Sequence, residues 1–336
     1  MKSRSPGWPG TRRFAAGVDV TAAGVALVVL SRRARVGAPV KVEWLAHAPL
    51  PRDAMRGAEI ADRAALADAL RAVFGGLPRG CGAAALRCAM ALPVAATVVA
   101  SLPLARFAHA HCIDGDARML ASLEPSVLAE AERITGAERH ELAVDWCLDP
   151  ASDEPAPPDD ETGGRAGRVT ITSAPRQHLE ARIECAAMAG VTLCAVDGDA
   201  HAALRAMRHA AALELSPDDP YVALWVGPDG VHGWYLADDL IVREMRYPAP
   251  EQADLVDALR ALPGGGAAGC ALIAGDVGAL EDAHLSMADL GRVLGCPVLP
   301  FEAATFVHAE QRFDANLLRD PAFAVAFGLA LRGVGE

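Results

Sequence analysis

The chain has 336 residues, 52% of them hydrophobic, and a formal net charge of -12 at pH 7. That length allows two domains of ordinary size, and the apolar content excludes global disorder. The acidic balance argues against nonspecific nucleic-acid binding and against direct docking on anionic lipid. Lysine occurs only at Lys2 and Lys41, so chemistry needing an active-site lysine would rest on Lys41. The 8 cysteines contain no CxxC pair and read as buried free thiols in a reducing compartment, not as zinc ligands.

Residues 1–13 read as a disordered, locally basic tail. Residues 14–31 read as a hairpin turning at Thr21-Ala22-Ala23-Gly24, and 40–48 as a third strand. The spacing in 62–74 predicts a helix ended by Gly75-Gly76, and 83–92 reads as the next strand. Two stretches imitate membrane segments. Residues 14–30 carry Asp19 and Thr21, and 88–105 is broken by Pro93 and Pro103, with 96–100 a short strand, so both read as buried strands. A small insertion is expected over 101–168, with a helix at 126–135, a strand near 142–148 and a mobile acidic, proline-rich loop at 149–168. The first core, 14–100, then resumes over 169–212 with a strand at 169–173, a helix at 177–189, a strand at 191–196 and a helix from Asp199.

The second half, 213–336, repeats the theme. Residues 221–247 give strands and 253–262 a helix; Gly264-Gly265-Gly266 reads as a flexible connection. A strand at 270–274 runs into Gly275-Asp276-Val277-Gly278. A helix at 287–294, a short strand at 297–299 and a helix at 321–331 follow. Each half therefore opens with a strand, a small-residue glycine turn and a second strand. Glycine turns let backbone N–H groups approach phosphates closely, and a matched pair of them fits a duplicated nucleotide cleft.

Six strings in order carry a family resemblance: 17–32, 89–104, 191–206, 240–248, 272–280 and 323–333, the last reading FAVAFGLALRG. They resemble PilM, the actin-like protein of type IV pilus assembly, over most of the chain. The resemblance implies an α/β, actin-like ATPase fold of the FtsA and PilM branch. It would have two ribonuclease-H-like halves, an inserted subdomain in the first and an outer subdomain in the second. It also implies a cytoplasmic place at the inner membrane, where the N-terminal peptide of a PilN-type membrane protein would lie in a groove between the insertion and the first core. Other pilus assembly proteins would be further partners. ATP with magnesium would sit in the central cleft. The nucleotide positions that match are Asp19, Thr21 and Gly24, then Gly227, Asp229 and Gly230, then Gly275 and Gly278.

The chain departs from that pattern. The usual lysine of the first loop is Ala26, and Trp225 stands where the second loop has an acid that would help hold magnesium. Asp276 interrupts the glycines of the adenosine loop. The outer subdomain of the second half is reduced to 248–269, which removes much of the wall over the base. The expected outcome is weak ATP binding or none, and no useful ATPase activity.

Asp19 reads either as a functional carboxylate or as a turn residue capping backbone amides. Asp197 and Asp199 could approach the same cleft, with Asp199 read first as a helix N-cap. Three such acids would also suit a two-metal nuclease, which the acidic charge disfavours. His109, His111 and Cys112 read as loop residues, and no metal site is expected beyond magnesium carried with ATP at Asp19. The run 92–104 supplies candidate groove residues Leu92, Pro93, Val98 and Val99, whose plainer reading is core. The function expected is a pilus scaffold that has largely retired as an ATPase. An active ATP-dependent switch, a sugar-kinase-like enzyme and the cytoplasmic part of a GspL-type secretion protein are the alternatives.

Overall fold

The computed structural model describes residues 12–35, 37–78, 81, 86–107, 116–149, 167–216, 218–248, 252–282, 284–307 and 313–335. Most of the expected N-terminal tail and acidic loop, and all of His109, His111 and Cys112, lie outside them. In chain order the elements are β1 (Arg12–Val20), β2 (Gly24–Arg33), β3 (Lys41–Pro49), β4 (Met55–Arg56), β5 (Glu59–Ile60), α1 (Arg63–Gly75), β6 (Arg87–Leu92) and β7 (Val98–Pro103). Then come α2 (Asp116–Thr135), β8 (Leu142–Asp149), β9 (Arg168–Pro175), α3 (Arg176–Met188), β10 (Leu193–Gly198) and α4 (Asp199–Glu214). The chain continues with β11 (Tyr221–Gly227), β12 (Gly230–Ala237), β13 (Leu240–Pro248), α5 (Gln252–Ala261), β14 (Cys270–Gly275), α6 (Ala279–Asp282) and α7 (Met287–Leu294). It closes with β15 (Val298–Pro300), α8 (Ala315–Arg319) and α9 (Ala324–Gly335).

Two compact units emerge, one of Met1–Pro93 with Arg182–Glu336 and one of Val94–Ala181. The first holds two five-stranded sheets of one topology, ordered β10-β6-β1-β2-β3 and β15-β14-β11-β12-β13. In both, the first three strands form an antiparallel meander and the fourth pairs parallel with the first. The duplication extends to register: Gly24 faces Pro49 across β2 and β3, and Gly230 faces Pro248 across β12 and β13. Four residues separate Val20 from its partner Val25, and four separate Val226 from Val231.

Apolar burial holds this unit together. α9, the helix of the FAVAFGLALRG string, is buried from Ala324 through Leu331 and packs on β1, β2, β6 and α4. The approach is too close for side chains at the crossings: a Cβ at Gly17 would meet Ala326 O at 1.9 Å, and one at Gly328 would meet Ala202 O at 1.8 Å. The second sheet packs Val222, Leu224 and Val226 against Leu255, Leu259, Leu280 and Leu290. Between Pro248 and Cys270 the described residues form the single helix α5.

The second unit is a three-stranded antiparallel sheet, β7-β9-β8, with α2 on one face. Leu123, Val127 and Ala131, four apart, pack on Phe107, Val169 and Ile171. This unit is wider than the 101–168 insertion, because β7 and β9 form one ladder from Val98↔Ser173 to Pro103↔Arg168. Three local expectations are corrected. α2 begins ten residues before Ser126 and carries Pro125 inside, its apolar face outweighing one lost backbone bond. The strand expected from residue 96 begins at Val98, since the Thr97 N–H and hydroxyl both turn back to the Val94 carbonyl. In the first unit β6 begins at Arg87, and residues 83–85 of the strand expected there lie outside the described residues. Gly198, not Asp199, is the N-cap of α4; Asp199 is its first residue, and its carboxylate accepts from the Ala200 N–H.

Candidate functional site

The C-terminal ends of β1, β11 and β14 converge on a cavity of about 770 Å³ within the first unit. Its lining includes Asp19, Thr21, Gly24, Gly227, Gly230, Gly275 and Gly278, so seven of the eight nucleotide candidates share one cleft. Asp229 lies in the same turn but not in the lining. His47, Tyr247, Asp320 and Phe323 also line it; local sequence pattern could not place them there, because β3, β13 and the turn before α9 bring them from far along the chain.

The first loop spends its polar groups on itself. Thr21 N–H donates to Gly24 O at 2.9 Å, Gly24 N–H to Thr21 O at 3.3 Å, and Ala23 N–H to Thr21 Oγ1 at 3.3 Å. Gly24 has a packing reason for lacking a side chain: a Cβ there would lie 2.5 Å from His47 Nε2. The second loop repeats this with a different ring. A Cβ at Gly227 would lie 2.4 Å from Trp225 Cη2, so the indole rests on that glycine. In the third loop the Asp276 N–H donates to Val226 O at the end of β11, and the Ala279 N–H to Asp276 O.

Strand register identifies Trp225 as the counterpart of Asp19. Asp19 faces Ala26 beside the Val20↔Val25 pair, and Trp225 faces His232 beside the Val226↔Val231 pair. Asp19 is 8% exposed. Burial pushes its carboxyl up to about 7, against the Val20 N–H and the Arg182 charge, which both pull it down. His232 is enclosed between Trp225 at 5.3 Å and Trp234 at 6.1 Å between ring centroids, and its Nε2 has no hydrogen-bond partner. Burial, with the Arg246 charge in the same direction, holds its imidazole down at about 4.

Arg182, on α3, is fully buried. It donates to Ala91 O at 2.8 Å and to Ala58 O, while Asp199 and Asp19 supply opposing charge. Desolvation lowers it to about 10, which leaves it cationic at neutral pH. Asp197 is held by Arg205 at 3.0 Å and Arg332 at 3.2 Å, so it does not join Asp19. No group of three or more His, Cys, Asp or Glu among the described residues could hold a metal ion.

A nucleoside triphosphate needs cations or free amides for its phosphates. The charged side chains of the lining are Asp19, Asp276 and Asp320, with His47; no lysine or arginine is among the described lining residues. The described lining therefore offers a triphosphate no cationic side chain.

Of the groove candidates, Leu92 is 5% exposed on β6 and Pro93 is buried, both in the first unit. Val98 and Val99 are 42% and 45% exposed on β7, an outer strand of the second unit's sheet. No described helix is long and apolar enough to cross a membrane.

A family model described as type IV pilus assembly protein PilM matches residues 17–225. A solved structure described as the PilM-PilN type IV pilus biogenesis complex is similar to this chain with a TM-score of 0.70 and 20% identity, over 95% of this chain and 98% of that one. The cytoplasmic domain of EpsL of the Vibrio cholerae type II secretion system gives a TM-score of 0.43 and 11% identity over 97% and 96%. A Bacteroides thetaiotaomicron protein with an actin-like ATPase fold gives 0.45 and 7% over 85% and 91%. No curated protein matches the sequence. The duplicated sheets are thus those of the actin-like fold.

Proposed function

The chain belongs to the PilM family of type IV pilus assembly proteins, and from that premise we propose that it is a scaffold at the cytoplasmic face of the inner membrane, held by the N-terminal peptide of a PilN-type protein and working without ATP. The observation that carries the retirement of the cleft is Trp225 in the place of an acid, its indole lying on Gly227. The amides of the first loop, bonded within the loop, support the same reading. The PilN partner is supported by the family and by the fold shared with the PilM-PilN complex.

In the second unit, β7 offers an extended peptide a backbone edge that no other described strand pairs with, with Val98 and Val99 exposed beside it. Main-chain bonds along such an edge supply affinity, and apolar side chains supply choice. Leu92 and Pro93 are buried within the first unit. The test is fluorescence anisotropy with a labelled peptide copying the cytoplasmic N-terminus of the PilN-type protein encoded beside this chain. Saturable binding that Val99→Asp weakens supports the proposal; no binding to the folded full chain contradicts it.

A further inference from the structure

We propose that the end of the first sheet opposite the cleft binds a phosphate group, carried by a lipid headgroup or by a soluble phosphate ester. The net charge of -12 conceals this end, because eight of the 31 lysines and arginines fall in the first 42 residues, where Asp19 is the single acid. The fold brings five of them together: β1 begins with Arg12 and Arg13, β2 ends with Arg32 and Arg33, and β3 begins with Lys41. Asp19 lies seven residues further along β1 than Arg12, ~23 Å away at the rise of a strand. Across β1 and β2, Arg12 faces Arg33 and Arg13 faces Arg32; across β2 and β3, Ser31 faces Lys41. Alternate strand residues share a face, so Arg12, Ser31, Arg33 and Lys41 stand on one side of the sheet. With Arg32 and Pro39 they line a pocket of about 160 Å³ that has no carboxylate in its described lining. That is the space of about five waters, enough for one phosphate group.

The charge at this end is poorly compensated from within. The Glu43 carboxylate takes Arg12 at 3.3 Å and the Ser31 hydroxyl at 2.5 Å, and Arg32 Nε donates to the Ala38 carbonyl at 3.0 Å. Arg33 and Lys41 have no ion-pair partner among the described residues. Like charges directly opposite each other weaken a ladder, and here two such pairs follow in succession. An anion with several acceptor oxygens removes that cost. A guanidinium meets it through paired N–H bonds, and the lysine ammonium meets it as a point charge. The described lining has no aromatic ring on which a nucleobase could stack, so a nucleic acid is a poorer match.

The test has two arms on the full chain at one ionic strength. Phosphorus NMR line broadening follows glycerol 3-phosphate, and co-sedimentation follows vesicles of phosphatidylglycerol with phosphatidylcholine, against phosphatidylcholine alone. Arg33→Ala combined with Lys41→Ala should weaken binding by roughly tenfold or more, since it removes two charge-assisted contacts. The charge-matched pair Arg260→Ala with Arg292→Ala, at exposed sites on α5 and α7, should leave it little changed. Binding in both arms supports the shared chemistry, and binding in one alone supports it and names the source as lipid or soluble ester. No binding in either arm overturns the proposal. Equal weakening by the two double variants also overturns it, because the effect is then one of net charge. If the first double variant fails to fold, Arg33→Gln on the exposed end of β2 takes its place, with a smaller loss expected.

Discussion

Trp225 and Asp19 occupy one position of a duplicated sheet: on the first strand of its half, each pairs next to a valine pair, Val226↔Val231 or Val20↔Val25. One half keeps a buried carboxylate there and the other a buried indole. The indole packs on Gly227 and His232, so its removal leaves a void among β11, β12 and the second loop. Trp225→Ala is expected to lower the unfolding free energy by about 3 kcal/mol or more. Urea denaturation followed by far-UV circular dichroism measures it; a loss below about 1 kcal/mol would mean that the indole is not a packing element.

Asp19 and His232 give opposite pH dependences. The Asp19 carboxyl is raised to about 7, so the folded state holds a proton that the unfolded chain releases near 3.8, and stability falls as pH rises between those values. His232 is lowered to about 4, so the unfolded chain binds the extra proton, and stability rises with pH from about 4 to 6.5. Together they leave a shallow profile. Asp19→Asn should expose the rise and His232→Asn the fall, each with a limiting slope of about 1.4 kcal/mol per pH unit. Denaturant midpoints from about pH 4 to 7.5 test this, and the same slope in both variants would contradict it.

Arg182 has no solvent to retreat to. Arg182→Met strands Asp199, itself 4% exposed, without its buried counter-charge. The expected cost is about 3–5 kcal/mol. The double variant Arg182→Met with Asp199→Asn should recover part of that loss, since the stranded charge goes with the carboxylate. No recovery in the double variant would show that Arg182 acts through packing alone.

Gly328 tests the closeness of α9 to α4. A Cβ there would sit 1.8 Å from the Ala202 carbonyl oxygen, a backbone atom that can yield only by moving a helix. Gly328→Ala should destabilise by about 3 kcal/mol even though alanine favours helix. A variant as stable as the parent would show that the two helices slide apart freely.

These cases also show what the residue order could reveal. The hairpins around Gly24 and Gly230 were legible because a turn is a local event, and the meander, α1 and α7 were legible for the same reason. The hydrophobic string of α9 announced a buried helix. The ring covering each loop glycine was not legible. His47 reaches Gly24 only because β3 lies in register beside β2, and periodicity carries no register between strands. Arg182 was missed because a buried arginine looks like a surface arginine in a helical pattern. Leu92 and Val98 looked alike in one apolar run, yet one closes a central strand and the other opens an outer one.

The most direct measurement is the anisotropy titration of the PilN-type peptide into the full chain, run in parallel without nucleotide and with millimolar Mg-ATP. On the proposed reading ATP does not engage the cleft, so the two curves should superimpose. A several-fold change in peptide affinity on adding Mg-ATP would mean that the cleft still binds nucleotide and passes its state to the partner, which contradicts a scaffold that works without ATP.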